Sequence, residues 1–339
     1  MKRAVRWTAG VCAALSIAVA SGCGSGKGDD PAPRPHTELI TALSGVRDSF
    51  LTHYWSEFGD VAGVRARGAA ENPDPLLGYG ESQLVQAAAQ LHDLTGIDPL
   101  AARTALTLGQ PPEQVGVLNG TFDPSAIGAK LQKLGYKKRD VGGGEAEWVI
   151  RDNHAIDAND RFAQLGILTA LNVIRVSPTR VVYAGATKDI DTKTLTGPRP
   201  LSDAFDVGAV ADCLGPVKAA QIGMDINTSP KLMGIGVQTS SPQDATAVVC
   251  MVTKSRDAAE DIASAWPGRV QSVTSYLTNE PWSKVLADPK AEVLDGSEHV
   301  VRLTARPLGK VTALFDAWRA KDLGPLLTGT RPDPTVSAR

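Results

Sequence analysis

Side chains able to do acid–base or nucleophilic chemistry are spread thinly through this sequence. Its histidines are His36, His53, His92, His154 and His299. A zinc hydrolase needs two histidines and a glutamate at helical spacing, and none of these five has that company. Gly80-Glu81-Ser82-Gln83-Leu84 offers the first half of a nucleophile elbow. The second glycine is missing and no strand leads into it, so the strained turn that exposes a catalytic serine is not expected. Asp152, Asn153, Asp157, Asn159 and Asp160 crowd one stretch with oxygen donors. Calcium wants about six to eight oxygens on a flexible loop, but the helix–loop–helix spacing and its turn glycine are absent. A solvated loop is the simpler reading. With no phosphate-cradling loop and no dinucleotide fingerprint, no catalytic, cofactor or metal residue is assigned.

Cysteine is the more informative residue. Lys2, Arg3 and Arg6 precede an apolar run from Trp7 to Ala20, and Ser21-Gly22-Cys23 follows. A run of about 14 residues is too short to span a bilayer, which needs about 20, and it has the form of a secretory leader. Ala20-Ser21-Gly22-Cys23 resembles the lipobox of bacterial lipoproteins, with Ala20 where leucine is commoner. The leader and the Ala/Gly-rich composition look like lipoproteins of high-GC Gram-positive bacteria. The resemblance covers the leader alone. It implies cleavage before Cys23 and acylation of that residue, so that the membrane is reached through acyl chains on Cys23. Two or more chains anchor firmly where one does not. The expected address is the extracytoplasmic face of the cell membrane.

Two consequences follow. Residues 23–36, rich in Gly, Ser, Asp and Pro, cannot build a core and read as a tether; about 13 such residues reach roughly 20 Å. Cys12 leaves with the leader and Cys23 is modified, which leaves Cys213 and Cys250. An even pair in an oxidising compartment predicts a disulfide between them, with two buried free thiols as the alternative.

Composition bounds the rest. The chain has 339 residues, 42% hydrophobic and 21% charged, enough for a folded core. Its net charge is −2, and loss of the three leader cations takes it to −5. That balance lacks the basic footprint of a nucleic-acid binder. Lys130, Lys133, Lys137, Lys138 and Arg139 gather locally; either anionic headgroups or plain solvation explains them. In Leu232-Met233-Gly234-Ile235-Gly236-Val237 two glycines share one strand face, which marks close approach by a ligand or by another element.

The elements that would position these residues are legible by period and caps. Helices are predicted over 37–51, 82–94, 206–214, 256–266 and 309–321, and from Asp123-Pro124 to Gly135. Strands are predicted at 54–58, 104–108, 114–118, 217–226, 231–239 and 245–253, with hairpins at Gly142–Gly144, Pro178-Thr179 and Asp295-Gly296-Ser297. Val311, Leu314, Phe315 and Trp318 form a core-facing helical stripe. Phe122-Asp123, Ala126-Ile127 and Leu131 echo Phe205-Asp206, Ala209-Val210 and Leu214 at equal offsets. Duplication and two independent helix starts both account for this.

The expected fold is α+β: two similar strand–strand–helix halves, with antiparallel sheets covered by helices on one face. The expected order is a signal peptide over 1–22, a tether over 23–36, domains over 37–200 and 201–327, and a disordered tail over 328–339. The leading functional expectation is a non-catalytic binding or scaffold module of the envelope, meeting an envelope protein or a small molecule and no nucleic acid. A lipid or metabolite carrier, marked by a deep apolar cavity, and an envelope-acting enzyme, marked by convergent titratable groups in a cleft, are the alternatives.

Overall fold

The computed structural model describes residues 36–68, 74–142, 145–193, 199–224, 232–241 and 244–329. In chain order the first half contains α1 (Glu38–Ser44), α2 (Phe50–Tyr54), β1 (Trp55–Gly59), α3 (Val61–Arg65), α4 (Ser82–Val85) and α5 (Ala88–Thr95). It continues with β2 (Thr104–Gln110), β3 (Glu113–Asn119), α6 (Pro124–Lys133), β4 (Lys137–Asp140), β5 (Ala146–Val149), β6 (Val173–Ser177), β7 (Arg180–Ala184) and α7 (Thr187–Lys193). The second half contains α8 (Phe205–Leu214), β8 (Ala219–Gly223), β9 (Leu232–Thr239), β10 (Ala245–Thr253) and α9 (Arg256–Ser272). It ends with β11 (Leu286–Leu294), β12 (His299–Pro307), α10 (Ala313–Arg319) and α11 (Leu323–Thr328).

Local chemistry sets most of these boundaries. Asp60 caps α3 by accepting from Gly63 N–H, and Asp123 caps α6 by accepting from Ser125 and Ala126 N–H, with Pro124 in the first turn. Gly135 takes the left-handed conformation, φ 94°, just past that helix. The helix predicted over 37–51 divides, because Ser49 and Thr52 form a capping box that starts α2 afresh. The one predicted over 82–94 divides into α4 and α5.

The α+β class holds, and its architecture differs from the expectation in two respects. First, all twelve strands belong to one antiparallel sheet, in the order β11-β12-β10-β9-β8-β1-β2-β3-β7-β6-β5-β4. Residues 37–200 and 201–327 supply β1–β7 and β8–β12 of that sheet, and both lie in one compact unit, Pro35–Arg339. The joint is β1, which pairs with β2 on one side and with β8 on the other, so neither half leaves an unpaired edge in the middle. Second, helices cover both faces. On one face α1, α7 and α8 pack on Leu106, Val182, Ile222 and Val248. On the other, α9, α10 and α11 cover the second half and α3, α4, α5 and α6 the first. Successive residues of β10 alternate between the two, Val249 and Met251 facing α9 while Val248 and Cys250 face α8.

Each half runs a three-strand meander, a helix, and strands returning beside the third: β1-β2-β3, α6, then β7 against β3; β8-β9-β10, α9, then β12 against β10. In this scheme α6 matches α9. The echo between residues 122–131 and 205–214 joins helices at unlike positions, and α8 begins at Phe205 with Ala204, not Asp206, as its cap.

The two glycines of β9 serve packing. A Cβ at Gly234 would collide with Val210 of α8, and one at Gly236 would collide with Val217. Cys250 is Gly234's partner in register, and its disulfide to Cys213 fastens α8 to β10, with Cα atoms 6.1 Å apart. The outer strands are guarded against further pairing: β4 is fully exposed and rich in cations, and β11 is irregular between Ala287 and Lys290. Among the described residues no helix is long and apolar enough to cross a membrane. The leader, the tether before His36 and residues 330–339 lie outside the described residues; Thr328, assigned to the tail, is the last residue of α11.

Replacing Cys213 and Cys250 together by serine is expected to lower the unfolding free energy by about 3–4 kcal/mol, the chain-entropy value for a cross-link spanning 37 residues. Urea unfolding of oxidised and double-serine protein measures it. Coincident curves would show that the bond contributes nothing.

Candidate functional site

Three buried polar residues on the α9 side of the sheet gather where the halves meet. Glu57 of β1 stands in register with Thr107 of β2 and Gln221 of β8, and all three are buried. Gln221 Nε2 donates to Glu57 Oε2 (2.7 Å), and Gly80 N–H donates to Oε1 (3.0 Å). Gly80 arrives at the end of residues 74–81, ahead of α4, where the backbone lies directly on the strands. Two glycines allow that approach: a Cβ on Gly59 would run into Tyr79 O, and one on Gly80, at φ 79°, into Ala105 O. Thr107 Oγ1 closes the contact by donating to Gly80 O (2.7 Å).

The same segment bridges the two apolar layers on this face. Leu77 packs against both. The Tyr79 ring lies 4.6 Å from that of Phe315 in α10, and its hydroxyl accepts from Arg319 Nη2 at 3.1 Å. Burial pushes the Tyr79 hydroxyl up to about 12, against the opposing pull of Arg319.

Beside Glu57 the site becomes less well satisfied. Tyr183 of β7 lies flat across β3, where Gly116 leaves room for its ring. Its hydroxyl is raised by burial first and then by Glu81 and Glu57, while a hydrogen bond with Thr107 opposes the shift. A cavity of about 40 Å³ opens here, lined by Gln83, Thr107, Gln114, Gly116, Thr169 and Tyr183. That space has room for about three waters by the usual measure of about 10–15 Å³ each. Glu81 has 0% exposure, and neither carboxyl oxygen has a hydrogen-bond partner among the described residues. Burial, with the charge of Asp98 adding to it, pushes this acid up to about 8. An acid tuned to that range can take up and release a proton near neutral pH.

The sequence candidates fall elsewhere. Cys23 lies outside the described residues; Cys213 and Cys250 are brought together as the disulfide. His36, His92 and His299 are exposed. His53 Nε2 lies 2.6 Å from Asp48, and its Nδ1 lies 3.8 Å from Asp206. His154 Nε2 lies 3.2 Å from Asp189. In Gly80-Glu81-Ser82 the serine is exposed at the start of α4, whereas the glycine and the glutamate belong to the junction. The oxygen-rich loop is internally committed: Asp152 accepts from Thr187 N and Oγ1, and Asp157 and Asp160 pair with Arg151. Among the described residues no group of three or more His, Cys, Asp or Glu could hold a metal. In the lysine group, Lys130 donates to the carbonyls of His92 and Asp93 near the end of α5, and Arg139 pairs with Glu147 and Asp152.

Glu57, Glu81, Tyr183 and Gln221 were not singled out by sequence. The one usable sign is an acid at an inward-facing position of an apolar strand, Glu57 next to Phe58.

Fold and site together define a three-layer α+β module with a buried acidic junction between its halves. No protein family matches this chain, and no curated protein does. Among solved structures it is similar to crystal form III of TP0453, at 8% identity and a TM-score of 0.35, over 77% of this chain and 93% of that one. A likeness at that level carries no argument here.

Glu57→Ala leaves the Gly80 and Gln221 donors buried and unpaired, and is expected to cost about 2–4 kcal/mol. Gly59→Ala should cost a comparable amount by lifting Tyr79 from the sheet. Equilibrium denaturation checks both; losses under about 0.5 kcal/mol would mean that the segment is not seated on Glu57.

Proposed function

We propose that this chain is an exported, lipid-anchored protein of the cell envelope that works as a non-catalytic binding or scaffold module. The observation that carries the reading is the Cys213–Cys250 disulfide. Stable disulfides belong to oxidising compartments, and the lipobox-like sequence ending in Cys23 supplies the route to one. The membrane is then contacted through acyl chains on Cys23, with the described module outside the bilayer.

One surface feature fits a binder. Asp322, buried, accepts from Ser275 Oγ (2.6 Å), Tyr276 N–H (2.8 Å) and Leu277 N–H (3.3 Å). This fixes the turn after α9 and holds Tyr276 and Leu277 outward, 57% and 56% exposed. A rigid display of adjacent large apolar side chains lowers the ordering cost of an interface. The junction cavity, at about 40 Å³, is far below the roughly 300 Å³ of a ligand pocket, which favours a binder over a carrier at that place.

The native product is expected to fractionate with membranes and to carry acyl mass on an amino-terminal Cys23. Cys23→Ala should move it to the soluble or secreted fraction. Native protein with an unmodified cysteine at that position would overturn the anchor. For the binding role, crosslinking of the mature protein on cells should yield a reproducible adduct, lost in the Tyr276→Ser, Leu277→Ser double variant while its melting point stays within about 2 °C. An adduct indifferent to both substitutions would remove that surface from consideration.

A further inference from the structure

Glu81 occupies the elbow between the segment seated on Glu57 and the helices α4 and α5. Together, residues 76–95 cover the sheet over β2 and β3. Leu84 and Leu91 of this cover are fully buried in the core beneath it. At the near end the cover is held by Gly80 against Glu57 and Thr107, and by Tyr79 against Arg319. At the outer side, α5 is tied down by Lys130 donating to the carbonyls of His92 and Asp93, while beside the cavity the elbow is held by Gln83 Nε2 donating to Gln114 Oε1 of β3 at 2.7 Å. That contact stands at the rim of the cavity, since Gln83 and Gln114 both line it.

Neutral Glu81 is compatible with this closed arrangement; ionised Glu81 is not. The titratable groups facing it are Asp98, ahead of the turn at Pro99–Ala101, and Tyr183 of β7 with Glu57 of β1 acting on the same hydroxyl. None of the three supplies a positive charge, and no donor reaches either carboxyl oxygen among the described residues. A buried ion without donors or a counter-charge is relieved by moving into water. The way out is to lift the elbow, which breaks the Gln83–Gln114 contact and opens the cavity floor of Thr107, Gly116 and Tyr183.

We propose that Glu81 is a proton-operated latch: with its proton on, the elbow at residues 81–87 lies closed on the sheet, and loss of that proton turns it outward to expose the cavity beneath. The acid holds its proton more tightly closed, to about 8, than at its ordinary 4.5. Closure is therefore fully favoured below about 4.5, weakens as pH rises, and reaches its weakest above about 8. The device is independent of whether Cys23 is acylated.

Hydrogen exchange of the intact folded chain, corrected for intrinsic rates and followed from pH 5 to pH 9, tests this. In the native protein the opening constant for the bonded elbow amides of Leu84, Val85 and Ala87 should rise by up to about tenfold per pH unit and level off near pH 8, as release of one proton requires. Amides of Val248–Met251 in β10 should stay protected throughout. In Glu81→Gln and in Glu81→Leu these three amides should show no slope. A flat native profile, an unchanged slope in either variant, or β10 opening in parallel would each overturn the latch.

Discussion

A buried carboxyl must find donors, and Glu57 finds them in two places that are far apart in sequence. Gln221 reaches it from the adjacent strand of the second half, and Gly80 from the covering segment above. A neutral hydrogen bond is worth about 1 kcal/mol net, but an abandoned buried donor costs more than that. The arrangement therefore acts chiefly as a constraint: any shift in the β1–β8 register, or any lifting of the segment, strands a polar group. Because β1 is the strand through which the halves become one sheet, the constraint acts on the whole molecule. Gly59 and Gly80 follow from it, since only a backbone without Cβ atoms can approach a sheet this closely.

A second close approach fixes the other face. Helix α8 lies over β9 where Gly234 and Gly236 leave its Val210 and Leu214 room. The Cys213–Cys250 bond then joins that helix to the next strand. Dispersion contacts fall off steeply with distance, so the glycines let α8 gain contacts that a β-branched residue would forbid. The disulfide also restricts the unfolded chain, by limiting how far residues 213 and 250 can separate. The sheet is thus clamped from both sides, by hydrogen bonds on one face and by a covalent bond on the other.

What could be read from sequence follows the range of the interaction. Caps and turns are decided within four residues, so Asp123-Pro124 and Gly135 announce their helix correctly. Hairpins such as β2–β3 and β6–β7 are short-range too. The union of the halves is not, because β1 and β8 are some 160 residues apart and β1 carries no mark of its partner. Burial on both faces was written in β10, whose Ala-Val-Val-Cys-Met-Val run is apolar without alternation, the pattern of a strand covered twice. The apparent repeat between residues 122–131 and 205–214 shows the opposite hazard. A local helix-start pattern recurs wherever a helix starts, whereas the repeated strand order appears only in the assembled sheet.

The junction site was illegible for a related reason. An isolated Glu in a sequence says nothing about whether donors will reach it, and Glu57 and Glu81 show how far two acids in one neighbourhood can diverge. Both are buried. Glu57 is given a donor for each oxygen, while Glu81 is given none and is raised to about 8. A purely structural role at position 81 would be met better by glutamine or leucine, which could be buried there without the penalty that an acid meets as pH rises. An acid at the elbow of a cover makes the cover's closure depend on protons. Moreover, the elbow meets the cavity rim through one exposed hydrogen bond, Gln83 to Gln114, whereas the cover is fixed on one side of it by Glu57, Thr107 and Arg319 and on the other by Lys130. A short elbow between two fixed stretches, carrying an unpartnered acid, is the place where ionisation can move the backbone with least loss of packing.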